Sequence, residues 1–258
     1  KEEVIAILSQ FNPWWRGEEV PDLPCWQRGA FRELYLWLTN PPAPRAVLLS
    51  GARQIGKTTL MLQAVERLLL SGVPAGNILY ATFDHPILKL AGIEAVIEAW
   101  REREPKVEGV EYLLLDEVQF IRDWGTWVKH QVDFRKDRRI AFTGSAMPLI
   151  AADQESGVGR WHTIRLTTLS FYEYVQIKQI SLPELPVLKS LRDLFEWTPS
   201  DFYRVSELAG LYVGHFHEYL IRGGFPQTAQ VESIPQAQRL LREDIIDKVL
   251  KRDMTALF

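Results

Sequence analysis

The sequence has 258 residues, 47% of them hydrophobic, which excludes wholesale disorder and allows one large core or two small ones. With 30 Lys and Arg against 33 Asp and Glu, the formal charge of −3 argues against a surface generally coated in polyanion, though not against a local basic patch. The single cysteine, Cys25, excludes an internal disulfide framework, and no apolar run approaches the ~20 residues needed to cross a bilayer, so a cytoplasmic protein without membrane contact is expected.

The chain divides into three zones. Residues 1–44 are rich in Trp and Pro, with "NPWW", "VPDLPCW" and "NPPAP" as breakers. Lys1–Gln10 has no apolar stretch of the kind a signal peptide needs. Phe31–Thr39 carries apolar residues at helical spacing, and Pro41, Pro42 and Pro44 read as a linker. Most of the nine tryptophans are expected in the core or at interfaces.

From 45 to 170, strand-like runs alternate with helical patterns. The expected strands are 46–50, 77–83, 110–116, 139–144 and 162–167. The helical patterns between them are 57–71, 92–103, 124–134 and 145–152. This alternation predicts an α/β fold with a parallel sheet covered on both faces. Strands 46–49 and 112–115 are the most apolar and are expected to be central. From 171 to 258 the alternation stops. Residues 205–221 and 233–253 look helical, the second opening on Ser233 and Pro235, with "IRGGFP" (221–226) between them. This zone reads as a helical accessory domain.

Gly51-Ala-Arg-Gln-Ile-Gly56-Lys57-Thr58 matches the phosphate-loop pattern and stands between a strand and a helix. Glycines let the backbone turn sharply and approach an anion. The N–H groups of such a loop form an anion nest, and the helix N-terminus adds roughly half a positive charge. Residues Gly51, Ala52, Arg53, Gln54, Ile55, Gly56, Lys57, Thr58 and Thr59 are therefore the candidate nucleotide contacts. Lys57 is expected to reach the β- and γ-phosphates, and the Thr58 hydroxyl to ligate Mg²⁺. Strand 110–116 ends in Asp116, followed by Glu117. A carboxylate at the end of a buried strand is costly unless a cation meets it. Asp116 suits Mg²⁺, directly or through water, and Glu117 suits the activation of an attacking water. At "RIAFTGSA" (139–146), Thr143 or Ser145 emerges at the end of a strand facing the ligand crevice. Either can sense the γ-phosphate, or simply serve the turn.

These residues resemble a known family. "SGARQIGKTTLMLQ", "YLLLDEVQFIRDWGTWVK", "RIAFTGSAMPLI", "GVGR", "LTTLSFYEY" and "IRGGFP" follow in an order similar to that of the prokaryotic AAA-superfamily, archaeal-type (DExx-box) P-loop ATPases. Those proteins carry a helical, winged-helix-like segment after the ATPase core. The resemblance implies the additional-strand class, with strand order 2-3-4-1-5. It also matches Lys57 and Thr58 to the Walker A positions, Asp116 and Glu117 to Walker B, and Thr143 to the sensor. Arg160 falls where AAA-type proteins carry an arginine finger, acting in cis or from a neighbouring copy.

Other features remain open to two readings. "FRKDRR" (134–139) can touch nucleic-acid phosphates or be a solvated helix end diluted by Asp133 and Asp137. Arg53 suits the edge of the site, and Gln119 a relay toward the γ-phosphate or a turn cap. His215 and His217 do not share a helix face, so a joint metal site is not expected. The leading functional expectation is a Mg²⁺-dependent ATPase that moves its helical domain. A homo-oligomer, and a DNA or protein partner held by the 171–258 domain, fit that reading. An ATP-dependent switch or DNA-binding adaptor with little turnover is the alternative. A small-molecule kinase fits less well, because Glu117 suits water better than a bound acceptor.

Overall fold

The structure is a computed structural model that describes residues 1–144 and 159–246. Ser145, the helical pattern at 145–152 and the end of the last helical pattern, from 247, lie outside the described residues. The chain forms two compact units, Lys1–Thr167 and a second starting at Thr168. Among the described residues, no helix is long and apolar enough to cross a membrane.

The first unit is built on five strands: β1 (Ala46–Gly51), β2 (Ile78–Thr82), β3 (Glu111–Asp116), β4 (Arg138–Gly144) and β5 (Trp161–Leu166). They form one parallel sheet in the order β2-β3-β4-β1-β5, as the resemblance implies. The middle strand is β4, with the more apolar β1 and β3 on either side of it. All three are interior strands, which is why all three tolerate apolar residues on both faces.

Strand alternation sends side chains to two cores. Leu48, Leu79, Leu113, Leu115 and Phe142 point to one face. There they meet α1 (Glu2–Phe11), α4 (Pro86–Arg103) and α5 (Trp124–Phe134). Leu49, Ile78, Tyr80, Leu114 and Ala141 point to the other, against α2 (Phe31–Thr39) and α3 (Lys57–Leu70). The sequence pattern located only the second part of α4. The helix begins at Pro86, and Gly92 (φ 80°, ψ 169°) interrupts it.

The Trp- and Pro-rich zone belongs to this unit and is not set apart at residue 44. Its polar groups explain why. The Asn12 side chain donates to the Tyr80 carbonyl (2.8 Å) and accepts from the Tyr80 N–H (2.7 Å), as a neighbouring strand would. Trp14 and Trp15 both donate their indole N–H to the Ile78 carbonyl. These bonds cover the outer edge of β2. Further on, Gln63 of α3 donates to the carbonyls of Pro24 and Trp26.

The described part of the second unit consists of helices and 3₁₀ or π turns without a strand. The expected helical character is therefore seen, and no wing accompanies it there. A capping box of Ser170 and Glu173 starts α6 (Phe171–Ile177). Thr198 and Asp201 form another at α7 (Pro199–Arg222), while Ser233 caps α9 (Ile234–Leu240) after the short α8 (Pro226–Gln230). The Gly223-Gly224 pair has a structural reason. Gly223 ends α7 at φ 80°, and a Cβ on Gly224 would lie 2.8 Å from Thr168 Cβ.

Candidate functional site

The site forms where the carboxyl ends of β1, β3 and β4 meet the start of α3. Alternation places Tyr80, Leu114 and Ala141 on the α3 face, so Asp116 and Thr143, two residues further along β3 and β4, face α3 as well. Leu115 pairs with Phe142, which brings the next residues, Asp116 and Thr143, side by side.

The phosphate loop joins β1 to α3. Gly56 has φ 95° and precedes the first helical residue, Lys57. Gln54 also lies in the left-handed region, at φ 58°. Gly51 is required for a reason the sequence did not disclose. A Cβ there would lie 2.6 Å from the Leu166 carbonyl of β5, so the close approach is to the neighbouring strand. The Ile55 side chain is buried in the α3-side core and anchors the loop from beneath. Ala52 is exposed, Arg53 and Gln54 are half-buried, and Thr59 lies half-buried in the first turn of α3.

Lys57 is buried, with its ammonium donating to the carbonyls of Gly51 (3.0 Å) and Ala52 (2.9 Å). Its Nζ lies 3.9 Å from Glu117 Oε1. The lysine thus bridges the loop and the acidic pair.

Asp116 is the hub. Its Oδ2 accepts from Thr58 Oγ1 (2.7 Å) and from the Tyr80 hydroxyl (2.9 Å), and its Oδ1 accepts from Thr143 Oγ1. Thr143 also accepts from the Glu117 N–H at 3.0 Å. Fully buried, Thr143 orients both acids and does not present an open hydroxyl. Glu117 occupies the left-handed region (φ 56°), which turns its side chain back toward Lys57, and Gln119 donates to its Oε2.

Sequence reasoning missed two residues here. Tyr80 lies on the edge strand, and its link to Asp116 depends on cross-strand placement that no local pattern carries. Burial, and then the neighbouring Asp116 carboxylate, push its phenol pKa well up, so it remains a neutral donor. Arg28, also buried, donates to the Ile55 carbonyl of the loop (2.8 Å) and to the Thr167 carbonyl just past β5 (3.0 Å). A lone arginine in a Pro-rich stretch gives no signal of such a role.

Arg160 is not brought to this site. It immediately precedes β5, and its carbonyl accepts from the N–H of Ala46 at the start of β1. The phosphate loop leaves the opposite end of β1. At about 3.3 Å per residue, the length of the strand separates them by roughly 20 Å. Its guanidinium instead pairs with Asp133 at 2.8 Å. Of the two placements left open for a finger, the structure does not bring Arg160 to the phosphate loop of its own chain.

A family model described as an AAA domain matches residues 43–175, and one described as a domain of unknown function matches residues 213–258. An uncharacterized protein of Haemophilus influenzae is 30% identical over 138 residues, which cover 52% of this chain and 34% of that protein. The chain thus spans about a third of the length of that relative. Among solved structures, AMPPCP-bound DnaA of Aquifex aeolicus is similar at 15% identity and TM-score 0.43, covering 87% of this chain and 63% of that one. Hsp104 of S. cerevisiae, in a complex with casein, is similar at 14% identity and TM-score 0.47, covering 86% and 38%. ORC1 of Aeropyrum pernix in complex with DNA is similar at 15% identity and TM-score 0.42, covering 62% and 50%.

Proposed function

The chain belongs to the AAA domain family, and on that premise we propose that its first unit binds and hydrolyses ATP with Mg²⁺. One observation carries the reading: Lys57 and Thr58 of α3, Asp116 at the end of β3, Glu117 just after it and Thr143 of β4 form a single connected network at the mouth of the phosphate loop. A chance glycine turn with a solvated lysine would not bury the lysine beside an acidic pair.

The roles follow from the contacts. The N–H groups of residues 51–58 and the Lys57 ammonium hold the triphosphate. Thr58 and Asp116 would hold the metal, whose charge would offset that of the phosphate oxygens. Asp116 already accepts three hydroxyl bonds, which hold its carboxylate in place beside Thr58, with which it would hold the metal. Glu117 takes the proton of the attacking water as that oxygen bonds to the γ-phosphorus and the bond to the β–γ bridging oxygen breaks.

Arg28 suits the coupling step, because it ties the loop to Thr167, the last residue of the first unit. A change in the loop is thereby transmitted to the point where the chain enters the helical unit. Large apolar side chains stand exposed along α7, including Tyr203, Leu211 and Leu220, and suit a DNA or protein partner of that unit. A transition-state role for Arg160 requires a second copy of the chain and release of Asp133. The alternative of a switch with little turnover is favoured by one contact, since Glu117 is already engaged by Gln119.

The test is phosphate release from ATP by the purified chain. Turnover that stops with EDTA and returns with added magnesium is the expected outcome. Nucleotide binding with no release under any metal would overturn the hydrolase reading and leave the switch. Tyr80→Phe probes the hub more finely, because it removes one donor to Asp116 and keeps the packed ring. The magnesium concentration that half-saturates nucleotide binding is expected to rise about two- to tenfold, the size of one net hydrogen bond of ~0.5–1.5 kcal/mol. Metal-free binding is expected to be unchanged. An unaltered magnesium dependence would remove Tyr80 from the site.

A further inference from the structure

The opposite end of the sheet, where β1 and β4 begin, holds a groove of about 310 Å³. Its walls are the proline strap at 41–44, the end of α5 and the start of β4. Five basic residues line it: Arg45, Arg135, Lys136, Arg138 and Arg139.

Their charges are not equally committed. Arg138 is paired with the buried Glu111 (2.6 Å) and donates to Gln131. Arg135 is paired with Asp137 and Glu111, and Asp137 also holds Lys106. Asp133, on the same stretch of α5, is taken by Arg160. The nearby carboxylates are thus occupied. Among the described residues, Lys136 donates to the Val132 carbonyl and Arg139 to the carbonyls of Lys136 and Arg138. Arg45 is exposed. Among the described residues, none of these three has a carboxylate within ion-pair distance.

We propose that this groove is a second anion site, which takes the phosphodiester backbone of a nucleic-acid strand. The three uncommitted cations come from three separate segments along one groove, namely the residue after the strap, the turn after α5 and β4, an arrangement that suits a run of charges more than a single one. A polymer with one charge per residue fits a track, whereas a small phosphorylated molecule requires convergence. Guanidinium forks match the paired non-bridging oxygens of a phosphate. The exposed rings of Pro42 and Pro44 offer apolar contact to sugar and base, and proline has no N–H that would go unpaired beneath them. Arg45 adds to "FRKDRR" the element that the linear sequence kept distant. The inference does not depend on hydrolysis at the phosphate loop, which lies at the other end of the strands.

The experiment is fluorescence anisotropy of labelled single-stranded and duplex oligonucleotides with the full chain, across a salt series. The triple variant Arg45→Ala, Lys136→Ala, Arg139→Ala is expected to bind about tenfold more weakly. Its log–log salt slope is expected to be shallower by about 2, since each lost phosphate contact removes ~0.7–0.9. Binding of a fluorescent ATP analogue, measured in parallel, is expected to be unchanged. An unchanged oligonucleotide affinity and salt slope in the variant, or no oligonucleotide binding by the wild-type chain at low salt, would overturn the proposal. So would polyglutamate binding as tightly as the oligonucleotide, with equal loss in the variant, because the groove would then serve an acidic polypeptide. Should the triple variant fail to fold, Arg45→Glu alone replaces it. The side chain is exposed on the strap, and the reversal is expected to weaken binding at least threefold, with no change sinking the proposal.

Discussion

Glu117→Gln is expected to slow phosphate release by about 10²–10⁴-fold, the usual worth of a positioned general base, while ATP affinity stays within about threefold. The substitution keeps the volume and the hydrogen-bonding arms of the side chain. It removes the capacity to hold a proton. The surroundings make the experiment clean, because the backbone of Glu117 is fixed by Thr143 and its side chain lies between Lys57 and Gln119. A neutral amide can stay in that frame with Gln119 turning to present its oxygen. Nothing in the change disturbs the loop N–H groups proposed to hold phosphate. The loss corresponds to ~3–5.5 kcal/mol of transition-state stabilisation. Turnover in the variant within a few-fold of wild type would show that water is activated elsewhere. Loss of binding in step with turnover would show that Glu117 is part of the binding frame and not the base.

The sheet was largely legible from sequence because each strand is a short apolar run bounded by polar or turn residues. The additional-strand order came with the resemblance, since local pattern alone does not say which strand lies beside which. The same limit explains what was missed. Tyr80 touches Asp116 only because β2 flanks β3 and alternation turns it to the α3 face. Asn12 meets Tyr80, and Arg28 meets Ile55, across 68 and 27 positions of sequence. Arg160 shows the reverse case. A plausible place in the linear order put it near the site, but the parallel sheet sends the start of β5 to the far edge. Residues within the phosphate loop were readable because their geometry is local. Residues that link distant elements were not.

Lys57→Met should nearly abolish nucleotide binding while costing the free protein roughly 1–3 kcal/mol. Two effects of the lysine's present contacts add together in the free protein. Its ammonium satisfies the carbonyls of Gly51 and Ala52, at a net value of about 0.5–1.5 kcal/mol each. It also places a positive charge beside Glu117, within a buried region that would otherwise hold two carboxylates. Removing it therefore lowers stability modestly, and solvent reaches the exposed Ala52 end of the loop to replace part of the loss. The cost with nucleotide is larger, because a triphosphate then faces Asp116 and Glu117 without the intervening cation. Breaking a buried charge pair costs about 3–5 kcal/mol, which is ~10²–10³ or more in affinity. Titration with a fluorescent ATP analogue reads the binding term, and thermal unfolding without nucleotide reads the stability term. Binding lost while the melting temperature falls by no more than about 10 °C places the lysine at the phosphates. Binding retained within threefold would mean that Lys57 serves only the carbonyls of its own loop, and the assignment of residues 51–58 as a triphosphate cradle would fall with it.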